Sequence, residues 1–306
     1  MNWFFIALAA PFLWALVNIA DNYLVSRFSQ KEKERSSGAL ALFASVVGIF
    51  IAFTIWVFMP NVFNIPFLDK TLLTLAGALT IVWILMYLFA LEIEDTSAVV
   101  PWFLAIPITG YILGYFFLGE TLSFQQLVGS SVIFSGLIII SIDFSGEKKK
   151  FKHKPALYML CASIAVATSG IIFKYVTIEG NFWVSSFWEY LGVSLTGILI
   201  YLLVPHYRAN FHQMNKTGGF KILVLNVVTE LMSISGNLLT NLALLLAPVT
   251  MVYLVGSFQP AIVLFLTIVG TKFFPHIVKE NISKKALMPK VIAIVLMTIG
   301  SMLLLI

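Results

Sequence analysis

The residues from about Phe220 to Leu246 are apolar and numerous enough to cross a bilayer, yet they carry Asn226, Glu230, Ser233, Asn237, Thr240 and Asn241. The steps between them are four, three, four, three and one. At roughly 100° per residue, all six fall in one sector about 100° wide. The other faces are Leu, Val, Ile and Met. A charged carboxylate at the centre of a membrane span costs roughly 2.5 to 3.5 kcal/mol on insertion scales unless it faces protein or water. A polar stripe along the whole helix therefore predicts the wall of a cavity, either a conduit or a buried binding site.

The rest of the chain supports a membrane setting. Of its 306 residues, 60% are hydrophobic and 11% charged. About 20 apolar residues cross a hydrocarbon core roughly 30 Å thick. Ten such runs occur, at 2–26, 38–58, 71–91, 96–118, 123–142, 155–177, 183–204, 220–246, 248–271 and 286–306. Backbone groups in lipid must bond internally, so the runs predict helices; the alternating ten-residue strands of a barrel are absent. The expected fold is an all-α polytopic membrane protein, and the longest loops have room for a helical turn at most. The first run is too long and too polar inside for a signal peptide and is expected to stay. Cys161 is the single cysteine and lies inside a run, which excludes an internal disulfide or a cysteine-rich metal site.

Charge orients the chain. Of 19 Lys and Arg residues, seventeen lie in or beside odd-numbered loops, against Lys70 in an even loop and Lys174 inside a helix. Basic residues mark the cytoplasmic side. Odd loops are therefore expected in the cytoplasm and both termini outside, in a cell membrane. The basic residues sit beside membrane spans, so the net charge of +5 is no argument for nucleic acid.

The chain also repeats itself. Ala90-Leu91, Ser97 and Pro107 align with Ala243-Leu244, Thr250 and Pro260 at a constant offset of 153, and Asn22-Tyr23 aligns with Lys174-Tyr175 at 152. Gly136 matches Gly300 after about eleven extra residues in the ninth loop. Five spans per unit is an odd number, so the second unit is inverted relative to the first. Inverted repeats are how many secondary transporters build two exchanging conformations around a midplane site. The units expected are 1–146, a basic linker 147–154, and 155–306: ten transmembrane helices as two inverted five-helix repeats.

The stretch Leu118-Gly119-Glu120-Thr121-Leu122-Ser123, with Gln126, Gly129 and Gly136, resembles the signature of EamA-type members of the drug/metabolite transporter superfamily. Pro107, Ala90, Ser97, Trp14 and Asn18 fit the same pattern. The resemblance implies a transporter of ten spans. The second unit departs from it, with Lys272-Phe273-Phe274-Pro275 where a Gly-Glu pair would stand. Members of that family commonly keep both termini in the cytoplasm; the charge distribution of this chain says the reverse, and it is the one followed here.

Glu230 is the leading site candidate, as a proton-coupling carboxylate or a counter-ion for a cationic group; the bland alternative is a structural Glu bonded to Asn226. Asn226, Ser233, Asn237 and Asn241 are candidates to bind polar groups of a substrate, although Asn also joins helices. Pro11, Trp14, Asn18, Asp21 and Asn22 form a second stripe on the first span. Asp21 there is as well explained by a pair with Arg27 or Lys31 as by a cavity role. Trp14, Trp83, Tyr87 and Tyr253 lie deep and suit an organic cation, although aromatic packing is the commoner cause. Lys174 and Glu189 are expected at similar shallow depth, as an ion pair or an outer gate. Glu120 reads as structural, at the start of a helix that Ser123 caps.

Catalytic signatures, nucleotide-binding loops and His or Cys clusters are absent. No enzyme activity and no cofactor are expected. The reading is a secondary transporter that moves a small organic metabolite by alternating access, with proton coupling through Glu230. The alternatives are an organic-cation carrier, or a non-transporting membrane helper or lipid-binding subunit. Expected partners are the metabolite, protons and the bilayer.

Overall fold

The computed structural model describes residues 2–28, 37–119, 123–140, 142–143, 150–151, 153–274 and 283–305. Glu120, the extra residues of the ninth loop from 275 to 282 and most basic residues of the first and fifth loops lie outside them. The described chain is a bundle of helices. Helices α1 (Asn2–Phe28), α2 (Ser37–Phe58) and α3 (Phe67–Leu91) are followed by a broken span. That span runs from α4 (Thr96–Val99) through a tight 3₁₀ turn, Val100–Leu104, into α5 (Ala105–Leu118). Then come α6 (Phe124–Ile140), α7 (His153–Thr177), α8 (Phe182–Leu203) and α9 (Pro205–Leu246). A second broken span joins α10 (Val249–Val255) to α11 (Gln259–Phe273) through Gly256–Phe258, and α12 (Lys284–Leu305) ends the bundle. Ile142–Asp143 and Lys150–Phe151 form a two-residue antiparallel ladder, β1 and β2, between α6 and α7.

Eight of these segments are long and apolar enough to cross a membrane, by length and composition among the described residues. The outside of the bundle is apolar, with Phe5, Phe12, Phe50, Phe53 and Phe116 all more than half exposed, as a lipid-facing surface requires. The breaks occur where the sequence dictates. Pro101 and Pro260 each stand at the start of a helical piece, where a missing N–H costs nothing. Gly119 closes α5 in the left-handed region at φ 68°, and its N–H bonds the carbonyl of Gly114. Asn181 caps α8 by accepting from the N–H groups of Trp183 and Val184 at 2.9 and 3.2 Å.

One expectation needs correction. The seventh loop was expected to hold no more than a turn, but Pro205 to Gly218 is helical, with Gly219 at φ 64° separating it from the spanning part of α9. Asn210 and Met214 are buried on one face of this segment, and Phe211 stacks on Phe43 of α2 with ring centroids 4.8 Å apart. The opposite face carries His212 and Lys216. It is an amphipathic helix lying across the end of α2, with a polar outer face that the search for apolar runs passes over. Lys290, grouped with the ninth loop by charge, is in fact a buried residue of α12 that donates to Ser97 Oγ at 2.7 Å, with Asp95 Oδ2 4.0 Å away.

Small residues set the closest helix crossings, and two of these are reciprocal. On α2 and α8, Gly48 packs against Ser194, while Gly197 packs against Ser45. On α6 and α12, Gly136 packs against Ala293 and Met297, while Gly300 packs against Gly129 and Ile133. In both pairs one partner's numbers rise as the other's fall, so the helices run antiparallel. Helix α3 meets α7 and α8, and α9 likewise meets α1 and α2.

At the α3–α8 crossing, a methyl group on Gly192 would collide with the carbonyl of Thr74. Backbone atoms cannot yield as a flexible side chain can, so Gly192→Ala should destabilise the protein by about 1 to 3 kcal/mol or more. Gly256→Ala, where nothing lies within 4 Å of the added carbon, is the reference. Thermal unfolding in detergent checks this; equal midpoints for the two variants would mean that the crossing is looser than described.

Candidate functional site

The middle of the α9 stripe faces a cavity of about 110 Å³. A site needs roughly 10 to 15 Å³ of such space per water molecule, so this one has room for a small organic molecule. Glu230, Ser233, Asn237 and Thr240 form its α9 wall, one polar residue per turn. Helix α1 supplies Pro11, Trp14, Asn18 and Asp21, spaced three or four apart and so on one face. Helix α3 supplies Trp83 and Tyr87. Both broken spans reach the cavity, with Phe103 and Ile106 from the first and Val252, Tyr253, Gly256 and Gln259 from the second.

Aromatic rings make one wall. Trp83 meets Phe103 edge-on at 6.1 Å between centroids, and Phe103 meets Tyr87 at 5.5 Å. The Tyr87 hydroxyl donates to Asn18 Oδ1 at 2.9 Å and also lies in hydrogen-bonding range of the Asp21 carboxylate. Trp14 rests against Gly236, where an added carbon would come within 2.6 Å of the indole nitrogen. The absence of a side chain at position 236 thus lets the ring lie flat beside α9. Tyr253 is seated the same way against Gly170 of α7, and its hydroxyl donates to the carbonyl of Val166 at 3.3 Å.

The charge balance of the cavity is one-sided. Two carboxylates line it, Asp21 and Glu230, close enough to act on each other electrostatically, and among the described residues no Lys, Arg or His lines it. Among the described residues the buried donors Trp14 Nε1 and Asn18 Nδ2 have no hydrogen-bond partner, and the half-buried Glu230 makes no hydrogen bond or ion pair. Such groups are costly to bury without partners. Their convergence on one cavity makes it the candidate binding site.

Of the residues singled out from sequence, Glu230, Ser233, Asn237, Trp14, Asn18, Trp83, Tyr87 and Tyr253 come together here. The two ends of the stripe do not reach the cavity. Asn226 is buried against Met214 and donates to the carbonyl of Ile222 at 3.0 Å. Asn241 donates to Glu189 Oε2 at 2.8 Å. The helix is longer than the cavity, and its terminal polar residues are used in packing. Lys174 donates to the carbonyl of Ala247, the residue just after α9, at 2.8 Å. Glu189 stands seven residues past the start of α8, roughly 10 Å along its axis, and so lies deeper than expected. Asp21 proves to be a cavity residue, while Phe103 and Gln259 are lining residues that the sequence reading did not select. A glutamine beside Pro260 in an apolar span was the available signal for the last.

Tyr87→Phe keeps the ring and removes the hydroxyl shared by Asn18 and Asp21. It should cost about 1 to 3 kcal/mol, because buried polar atoms lose their partner. Tyr115→Phe, on the exposed surface, should cost almost nothing. Thermal denaturation of both checks this, and equal stability would show that the Tyr87 hydroxyl bonds neither group.

Comparison with known proteins agrees with this architecture. A solved structure described only as "Crystal structure of protein" superposes with a TM-score of 0.65 at 13% identity, over 99% of this chain and 96% of that one. At that identity the likeness speaks for the fold alone. No curated protein matches the sequence. Residues 1–142 match the model of the EamA-like transporter family, which belongs to the drug/metabolite transporter superfamily. Over residues 1–142 the chain is thus similar to EamA-like transporters.

Proposed function

We propose that the protein is a secondary transporter that carries a small organic solute across the cell membrane by alternating access. The observation that carries this reading is the cavity, lined by carboxylates from two membrane-spanning helices and reached by both broken spans. Helices broken deep in a membrane protein leave free backbone groups, and these are tolerated only where they face protein or a water-lined cavity. A non-transporting helper has no use for such a site.

The reading includes ten spans in two inverted repeats, residues 1–146 and 155–306, joined by the basic linker 147–154. The reciprocal crossings of α2 with α8 and of α6 with α12 support it, because a two-fold relation between the halves generates such pairs. The matched positions of the breaks support it as well. The two halves then rock about these glycine crossings while α1, α3, α9 and the broken spans change their distances around the cavity. Glu230, Ser233, Asn237, Trp14, Asn18, Trp83, Tyr87 and Tyr253 hold the solute, and Glu230 exchanges a proton for it. Lys174 and Glu189 act at the far end of α9, one on the carbonyl of Ala247 and the other on Asn241. Releasing those bonds frees the end of α9 and opens the cavity on that side. Odd loops face the cytoplasm.

Labelling with a membrane-impermeant thiol reagent tests the proposal, after Cys161→Ser. Asn237→Cys should react both in intact cells and in inside-out vesicles, since alternating access exposes one position to both sides. Asn2→Cys should react only in intact cells and Lys149→Cys only in the vesicles. Reaction of Asn237→Cys from one side alone, or from neither, contradicts alternating access. Reversal of the two reference positions contradicts the orientation.

A further inference from the structure

We infer that the ligand of this cavity is a small organic cation that also carries a neutral hydrogen-bond acceptor, an amino alcohol or amino amide rather than an amino acid. The inference rests on the proposed transport site and names its substrate class. Three observations converge on it.

The first is charge. Asp21 and Glu230 line the cavity from helices α1 and α9, and among the described residues no Lys, Arg or His lines it. Two carboxylates facing one confined cavity repel each other, and a ligand amine placed between them relieves that repulsion. A ligand carboxylate would add a third negative charge with no cation to receive it. Acids and zwitterions are therefore rejected by the same groups that attract amines.

The second is the set of unmatched donors. Trp14 Nε1 and Asn18 Nδ2 are one turn apart on α1, both buried and both without a partner among the described residues. The indole N–H can only donate, so it calls for an acceptor on the ligand. The hydroxyl of Tyr87 has a single proton, and it goes to Asn18 Oδ1. That bond turns the Asn18 amide so that its NH₂ is left for the ligand, while Asp21, also within reach of that hydroxyl, keeps its remaining acceptor sites for the ligand's cation. A hydroxyl or amide oxygen a few bonds from the amine satisfies both donors without adding charge.

The third is the aromatic wall of Trp83, Tyr87 and Phe103. Ring faces attract a cation and accommodate an apolar or aromatic ligand body. Together the three features describe one molecule: an amine at the two carboxylates, an oxygen at Trp14 and Asn18, and an apolar remainder on the rings.

Four probes sharing one phenyl skeleton separate these requirements at pH 7. L-phenylalaninol has the amine and a neutral oxygen, L-phenylalanine the amine and a carboxylate, phenethylamine the amine alone, and 3-phenylpropanol the oxygen alone. Calorimetric titration of the purified full-length protein should rank phenylalaninol at least about tenfold tighter than each of the others, the size of one charge-assisted bond. Glu230→Gln and Asp21→Asn should each weaken phenylalaninol about tenfold, and Trp14→Phe should bring it close to phenethylamine. Phenylalanine binding as tightly as phenylalaninol overturns the inference, as does the absence of phenylalaninol binding. The ranking on the unmodified protein stands even where a variant fails to fold. A cavity labelled from both sides at Asn237→Cys that prefers phenylalanine defeats only the ligand class; a cavity unreachable from either side defeats the transport reading.

Discussion

A carboxylate inside a bilayer has two tolerable surroundings, water or a polar partner, and Glu230 is the residue that enforces the choice. Nothing in its own helix offers it a partner. The neighbouring elements therefore have to leave a space there and line that space with polar groups. Helix α1 does so by turning Asn18 and Asp21 toward α9. The two broken spans do so by interrupting their helices beside it, at Val100–Leu104 and Gly256–Phe258. The cavity follows from where one acidic side chain was placed, and the substrate chemistry inferred here follows from its having Asp21 for company.

The scaffold and the site obey different logic. The crossings of α2 with α8 and of α6 with α12 are built from small residues whose contacts are exchanged between the two halves of the chain. They are close because a glycine on one helix meets backbone or a short side chain on the other, which leaves little freedom to slide but allows the pair to tilt. The cavity is asymmetric. By the offsets of the proposed repeat, Asp21 corresponds to Phe173 and Glu230 to Gly77. One half contributes an acid where the other has an aromatic ring, and the reverse half contributes an acid where the first has a glycine at a close crossing. In the proposed carrier, a repeated frame with an unrepeated charge pattern would let both conformations hold the same ligand by the same groups.

Much of this was legible in the sequence because helical periodicity is strong where a helix has two chemically distinct faces. Glu230, Ser233 and Asn237 recur at 3.6-residue spacing, and so do Trp14 and Asn18, and these reach the cavity. The pattern says which face is polar but not how far the cavity extends, so Asn226 and Asn241 share the stripe yet pack inside the protein. Phe103 and Gln259 lie in or at the end of the breaks, where helical spacing no longer predicts direction. Asp21 was ambiguous because Arg27 is close in sequence, but Arg27 bonds Tyr23 instead. The helix from Pro205 to Gly218 escaped notice because its buried face mixes Asn210 with Phe211 and Met214, too polar a set to register as a span.

The central claim is that the α9 stripe faces water. Cysteines placed singly at each position from 226 to 241, in protein lacking Cys161, can be titrated with a small hydrophilic thiol reagent. The account predicts reaction at 230, 233, 237 and 240, with 226 and 241 slow, and the lipid-facing positions 228, 231 and 235 inert. Reactivity without a 3.6-residue period, or inert cysteines at 233 and 237, would place the stripe against another helix and remove the cavity on which the account depends.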